Sequence, residues 1–192
     1  MDKVDSRFDD VKSEKIGPAI ILIDPQLGNN IGAAARAMLN CGLKDLRLVR
    51  PRDGWPNTAA EKMASGATEV LNNTKVFGNT LEAVSDLNLV LATTARMRDL
   101  SKTVLSPKQA ADRLIDHHAN AGRSGILFGP ERSGLVNDDV VLADAVINVP
   151  LNPNFSSLNL AQAVLLLGYE WFQNVIKPRI LDQGTGRTMA AK

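Results

Sequence analysis

Short apolar runs alternate along this chain with stretches whose apolar residues recur at helical spacing. Residues 19–23 form an unbroken apolar run closed by Asp24-Pro25, which predicts a buried strand followed by a turn. A helix is expected next, capped by Asn29 or Asn30 and running to Leu39, with Gly42 as its C-terminal cap. Further strands are expected at 45–50, 88–92, 125–128 and 146–149, and a short one bracketed by Val70 and Val76-Phe77. Helices are expected at 57–65, at 81–87 behind a Thr80 cap, in a short stretch behind an Asn137 cap, and over 158–175 behind a Ser157 cap. The clearest helix entry is Ser106-Pro107-Lys108-Gln109, a Ser cap with Pro at the first helical position and Gln at the capping-box position, opening a helix to about residue 120. Apolar strands alternating with helices predict an α/β fold: a mostly parallel sheet with helices on both faces. The polar residues 1–15 read as a flexible N-terminal segment, 16–176 as one catalytic-size domain, and 177–192 as a short tail.

Composition narrows the class without choosing a function. The 192 residues suffice for one substantial core, and 44% hydrophobic content is ordinary for a globular domain. A net charge of +1 excludes a chain that coats nucleic acid through bulk charge, while leaving room for a local basic patch. Cys41 is the only cysteine, so an intramolecular disulfide and a thiolate metal cluster are both ruled out; it reads as a small buried hydrophobe near a helix end. The apolar run 16–23 is too short to span a bilayer, and polar residues interrupt 158–176, so a cytoplasmic protein without membrane contact is expected.

Three segments carry the candidate chemistry. In 29–40, helical periodicity places Asn29, Ala33, Arg36 and Asn40 on one side and Ile31, Ala34, Ala35 and Met38 on a broadly opposite apolar face. A guanidinium set among alanines near a strand end suits a phosphate, through two parallel hydrogen bonds; the alternative is a solvated arginine paired with an acid. In 126–135, a strand runs into a glycine-bounded loop, Gly129-Pro130-Glu131-Arg132-Ser133-Gly134, which can present backbone groups to a ligand. This loop matches neither GxGxxG nor the phosphate loop, which disfavours a diphosphate cofactor; Glu131 either serves a ligand or accepts hydrogen bonds from loop amides. In 147–163, a strand leads through a Pro-containing loop to a helix starting at Ser157, and Leu127, Ile147 and Leu151 are expected as apolar walls for an adenine ring. Ser157 has a plain explanation as a cap, whereas Asn159 within a first turn is less routine.

In order, spacing and wording these segments resemble the SPOUT superfamily, specifically its SpoU/TrmH branch of RNA ribose 2′-O-methyltransferases, over residues 16–176. The resemblance implies a deep trefoil knot toward the C-terminal end of the domain, a homodimer, and S-adenosyl-L-methionine as methyl donor. Ordinary connection rules would not generate a knot. The cofactor loops it implies are Thr93-Thr94-Ala95, the segment Leu127, Phe128, Gly129, Pro130, Glu131 with Gly134, and Ile147, Val149, Pro150 and Leu151 with Ser157 and Leu158. Arg36 matches the catalytic arginine, and Asn29, Asn30, Glu131, Ser157 and Asn159 the polar set around it. An arginine does not serve readily as a free general base, so Arg36 is expected to bind the phosphate beside the target ribose and stabilise the developing alkoxide. A phosphate oxygen or water then takes the proton, with Ser157 or Asn159 orienting the ribose.

The stretch 91–99 is similar to the branch of that family that methylates cytidine or uridine on the 5′ side of the tRNA anticodon loop, at position 32; other branches act on other tRNA positions or on rRNA. Arg96, Arg98 and Lys102 form a basic loop, and Arg47, Arg50 and Arg52 crowd another strand end; with Arg132 these are the expected phosphate contacts. RNA, and not DNA, is the expected partner. Several bacterial members of that branch carry a C-terminal helical extension that helps grip tRNA, whereas here only 177–192 follows the long helix. Two rivals remain: a Rossmann-like dehydrogenase, which lacks its glycine fingerprint here, and a catalytically inactive RNA-binding or assembly protein. His117 and His118 are adjacent on a helix and diverge by about 100°, so no metal site is expected and both read as surface or helix-end residues.

Overall fold

The structure is a computed structural model that describes residues 17–94 and 102–184, with side chains up to residue 175. Arg96 and Arg98, together with Ala95, lie outside the described residues. The elements run β1 (Ala19–Ile23), α1 (Gly28–Asn40), β2 (Leu46–Val49), α2 (Thr58–Ala64), α3 (Thr68–Asn72), β3 (Lys75–Phe77), α4 (Thr80–Val84) and β4 (Leu89–Thr93). They continue with β5 (Val104–Leu105), α5 (Pro107–Ala119), β6 (Ser124–Phe128), α6 (Asn137–Val141), β7 (Ala145–Ile147) and α7 (Leu160–Gly184). The strands build one sheet in the order β3-β2-β1-β6-β4-β7-β5, and every described neighbour pair is parallel.

Because side chains alternate along a strand, a sheet covered on both faces needs apolar residues at consecutive positions. Ile20 and Leu22 of β1 join Leu48, Leu91, Ile126 and Phe128 in a core packed by α1, α2, α5 and α7, through residues such as Met38, Ala60, Leu114 and Trp171. Ile21 and Ile23 turn the other way, to Val49, Val90, Ala92 and Leu127, covered by Ala83 and Val84 of α4 and by Ala143. The expected α/β architecture, with helices on both faces, is the observed one.

Local signals behave unevenly. The capping box of Ser106 and Gln109 forms as written. Gly42 takes φ +70, with its N–H on the Leu39 carbonyl and the Leu43 N–H on the Met38 carbonyl, the paired bonds of a Schellman end beyond Cys41. Cys41 is buried, and burial pushes its thiol up to about 11. The expected caps elsewhere shift. α1 starts at Gly28 behind Leu27, so neither Asn29 nor Asn30 caps it. Asn79 rather than Thr80 caps α4, and the Thr80 hydroxyl instead donates to the buried Asp139 carboxylate at 2.6 Å. Asn137 is the first residue of α6, not its cap. Val70 lies in α3, not beside a strand, and β7 ends at Ile147. Only at α4 do two polar residues compete for the cap, with the Thr80–Asp139 bond drawing Thr80 away; α1 and α6 begin behind apolar Leu27 and Val136 without a side-chain cap.

Candidate active site

The carboxyl ends of β1, β6, β4 and β7 lie side by side in the sheet, the edge where parallel α/β folds bind ligands. Thr93 closes β4: its hydroxyl donates to the Leu127 carbonyl at 2.9 Å, and the Thr94 N–H donates to the Ile147 carbonyl at 3.0 Å. The Asn148 amide reaches the Thr94 carbonyl at 3.4 Å. Three strand ends are thus laced together before their loops diverge.

The loop after β6 is forced into a tight return. A Cβ on Gly129 would lie 2.2 Å from the Leu135 nitrogen and 2.4 Å from the Gly134 carbonyl carbon, so no other residue fits there. Gly134, at φ +69, donates its N–H to the Pro130 carbonyl and closes the turn. Glu131 therefore projects back toward β1, where its carboxylate accepts from the Gln26 N–H at 3.0 Å and from the Asn30 amide at 2.7 Å.

Asn30 carries the connection onward. Its Oδ1 accepts from the Asn159 Nδ2 at 3.1 Å, while Asn159 Oδ1 accepts from the N–H groups of Ala161 and Gln162 at the start of α7. The orientation of both amides follows from the ends of this chain: helix N–H groups require an oxygen at one end, and a carboxylate requires a donor at the other. Glu131, Asn30 and Asn159 join the three segments singled out in the sequence into one hydrogen-bonded run. Asn159, not Ser157, is the cap of α7, and Gln162 completes a capping box by accepting from the Asn159 N–H at 3.3 Å. Ser157 is exposed, and its hydroxyl bonds no other described residue.

Arg36 stands exposed on α1, as do Asn29 and Asn40, while Ile31, Ala34, Ala35 and Met38 are buried. It forms no ion pair with another described residue. With Ala33, Ala37, Asn40, Ala161, Gln162 and Leu165 it lines a groove of about 240 Å³ between α1 and α7.

Other expected contacts are spoken for or buried. Arg47 is 1% exposed; it is held by Asp45, Asp86 and the Ala83 carbonyl, and is structural. Burial opposes its charge, but the hydrogen bonds to Asp86 and Asp45 outweigh it and raise the guanidinium above its ordinary range. Arg50 clasps Asp24 at 2.8 and 2.9 Å, which raises it too, and Arg52 pairs with Asp53 at 3.2 Å. Lys102 donates to the carbonyls of Val141 and Ala143, pinning its own segment to the end of α6. Arg132 is exposed. The side chains of Leu127, Phe128 and Ile147 are fully buried in the core, so they offer a ligand only backbone groups; the half-buried apolar surface at this edge comes from Pro130, Val149, Leu151 and Leu158, with Gly129 beside them and Pro150 exposed.

The sequence reading missed the Gln26 N–H, whose role depends on a carboxylate 105 residues away and leaves no local signal. It also missed Gln162, although Asn159-x-x-Gln162 is itself a capping-box pattern. His118 lies in the last turn of α5, the helix-end position expected, but it is half-buried, hydrogen-bonded with Ser124 at 3.0 Å and edge-on to Trp171, so it packs instead of facing solvent. Among the described residues, no group of three or more His, Cys, Asp or Glu is placed to hold a metal ion, and no helix is long and apolar enough to cross a membrane.

A parallel α/β sheet whose β1, β6 and β7 loops converge on a carboxylate–amide run beside an exposed arginine defines the class: the chain belongs to the SpoU rRNA Methylase family, whose profile matches residues 17–169. Within it, the chain is 36% identical over 174 residues to the tRNA (cytidine/uridine/adenosine-2′-O-)-methyltransferase TrmJ of Pseudomonas aeruginosa, covering 88% of this chain and 67% of that protein. It is 40% identical over 151 residues to an uncharacterized tRNA/rRNA methyltransferase of Haemophilus influenzae, covering 79% of this chain. This chain spans 61% of that relative's length. The crystal structure of TrmJ from Z. mobilis superposes with a TM-score of 0.77 at 60% identity, over 81% of this chain and 68% of that one.

Proposed function

We propose that residues 16–176 form the catalytic domain of a cytoplasmic S-adenosylmethionine-dependent RNA ribose 2′-O-methyltransferase, acting on cytidine or uridine at position 32 of the tRNA anticodon loop. The observation that carries this reading is the Glu131–Asn30–Asn159 run, which assembles three distant segments around a polar site beside an exposed Arg36 that has no ion-pair partner among the described residues. The activity for which the Pseudomonas relative is named supports the substrate class.

The residues present fit the cofactor. Gly129 leaves the folded-back loop without a side chain, and Pro130, Val149, Leu151 and Leu158 supply half-buried apolar surface for an adenine ring. When bound, S-adenosylmethionine supplies the methyl group as a sulfonium electrophile. Arg36 holds the phosphate beside the target ribose and stabilises the negative charge that grows on the 2′-oxygen. A guanidinium does not give up its proton in a protein, so the hydroxyl proton passes to a phosphate oxygen or water. Ser157, free of any capping duty, orients the ribose hydroxyl; Asn159 contributes its second amide N–H. Arg132 and Asn29 are the further RNA contacts, with Arg96 and Arg98 from the segment after Thr94.

The working unit in this reading is a homodimer, knotted toward its C-terminal end. Its support is α7, which carries exposed Leu165 and Tyr169 four residues apart, beside the Arg36 groove, where a second copy would cover them. The test is incubation with labelled S-adenosylmethionine and separated tRNA and rRNA pools, followed by mapping of the methylated nucleotide. Label at a pyrimidine ribose in the anticodon loop is the expected result. Label confined to rRNA would reassign the substrate, and none in either pool would sink the activity.

A further inference from the structure

Between Pro150 and Asn159 the chain makes a short excursion at the rim of the candidate site, and one of its residues is out of character. Phe155 is 73% exposed, the most exposed large apolar side chain among the described residues. Its backbone is not loose: the Phe155 N–H donates to the Asn152 carbonyl at 2.8 Å, and the Asn154 N–H to the Asn152 side chain at 3.0 Å. Pro150 and Pro153 stiffen the same stretch. A fixed turn thus holds an aromatic ring out in water.

Its surroundings restrict what could cover it. Asn152, Asn154, Ser156 and Ser157 are all exposed and polar, and Phe155 belongs to neither core cluster. A protein interface would surround such a ring with further apolar side chains, as Leu165 and Tyr169 accompany each other on α7. A lone ring bordered by hydrogen-bonding groups matches a nucleobase, which has a flat apolar face and a polar edge. Position agrees. Phe155 is two residues from Ser157 and four from Asn159, so its Cα lies within about 14 Å of the Asn159 Cα at full chain extension. That is within reach of the base whose ribose sits beside Ser157.

We infer that the Phe155 ring is a stacking platform for the base of the nucleotide being methylated. The inference rests on the RNA-methyltransferase reading above and adds a base contact to it. Because every base has a π-face, a stack grips pyrimidine and purine alike, and this residue makes the site tolerant of the base while Arg36 and Ser157 fix the ribose.

The test compares wild type with F155A, F155L and F155W in steady-state methylation of bulk tRNA, with filter retention of the same tRNA, calorimetric binding of S-adenosylmethionine, and mass by light scattering. F155A and F155L should raise KM for tRNA, and weaken retention, roughly tenfold, while F155W stays within about twofold of wild type. Cofactor affinity and oligomeric mass should not move. Wild-type behaviour of F155L would show that bulk, not a π-face, is what counts, and wild-type behaviour of F155A would remove the contact; either overturns the inference. Loss of mass in F155A would assign the ring to a protein interface and overturn it too. If wild type transfers no label yet retention still depends on the ring, the methyltransferase reading fails while base stacking on Phe155 stands, and its assignment to a methylated nucleotide is overturned.

Discussion

Arg36 and Asn30 occupy the same helix and do different physical work. Arg36 has no acidic partner among the described residues, so truncating it leaves no buried charge behind and should not disturb the fold. R36A is therefore expected to lower kcat by roughly 10²–10³, the cost of losing one electrostatic contact to a developing oxyanion, while calorimetry finds S-adenosylmethionine affinity within about twofold. Retained turnover would remove Arg36 from the chemistry. Asn30 has the opposite character: its amide is wedged between a carboxylate at 2.7 Å and another amide at 3.1 Å. N30D sets two carboxylates face to face, and such a pair avoids double ionisation by sharing a proton. Activity of N30D should fall at least tenfold at pH 8 and recover partly toward pH 6, a pH profile that wild type does not show. A flat profile for N30D would mean that the amide run is packing rather than part of the site.

Among elements, α5 and α7 meet where His118 contacts Ser124 and Trp171. Burial, and secondarily the charge of neighbouring His117, hold the His118 imidazole below its ordinary value. The unfolded chain thus takes up a proton near pH 6.5 that the folded chain refuses. This contribution to stability is complete above that pH and is lost as pH falls toward the lowered folded value. Thermal melts should show Tm declining from pH 7 to pH 5 in wild type, and a visibly flatter decline in H118Q; parallel slopes would discard the assignment. The same elements show where sequence reading succeeds. β1, β6 and α5 were legible because an apolar run bounded by turns, or a Ser-Pro-x-Gln entry, carries its meaning locally. The cap of α7 was also written locally, in Asn159-x-x-Gln162, but a Ser157 cap by composition masked it; the bond from Asn159 to Asn30, 129 residues away, leaves no local signal at all. Arg47 and Arg50 have partners that the strand pattern does not announce, and Arg47 is buried by them. Arg47 and Arg50 sit at a strand and its end exactly where phosphate contacts are expected, yet Asp45, Asp86 and Asp24 lie within hydrogen-bonding reach and claim them.

At the scale of the whole molecule, the parallel sheet and its two-sided cover followed from the alternation of strands and helices, whereas the strand order did not. Nothing in a strand's own residues says that β6 belongs between β1 and β4. The exposed stripe of Leu165 and Tyr169 on α7 has a role in the proposed homodimer. L165E combined with Y169E should convert a dimer to a monomer in light scattering and abolish methyl transfer, with circular dichroism unchanged; an active monomer would separate the site from any second copy. The strand order has a further consequence for how the chain is made. β1 pairs on one side with β2, which follows closely, but on the other with β6, aligned Ala19 to Gly125. At about 5–20 residues per second, a ribosome needs roughly 5–20 s to deliver that missing partner. For this interval β1 presents an unpaired, wholly apolar edge, the kind of template on which neighbouring nascent chains pair wrongly. A strand wholly buried in the finished protein is thus vulnerable during synthesis, until β6 arrives to cover its open edge.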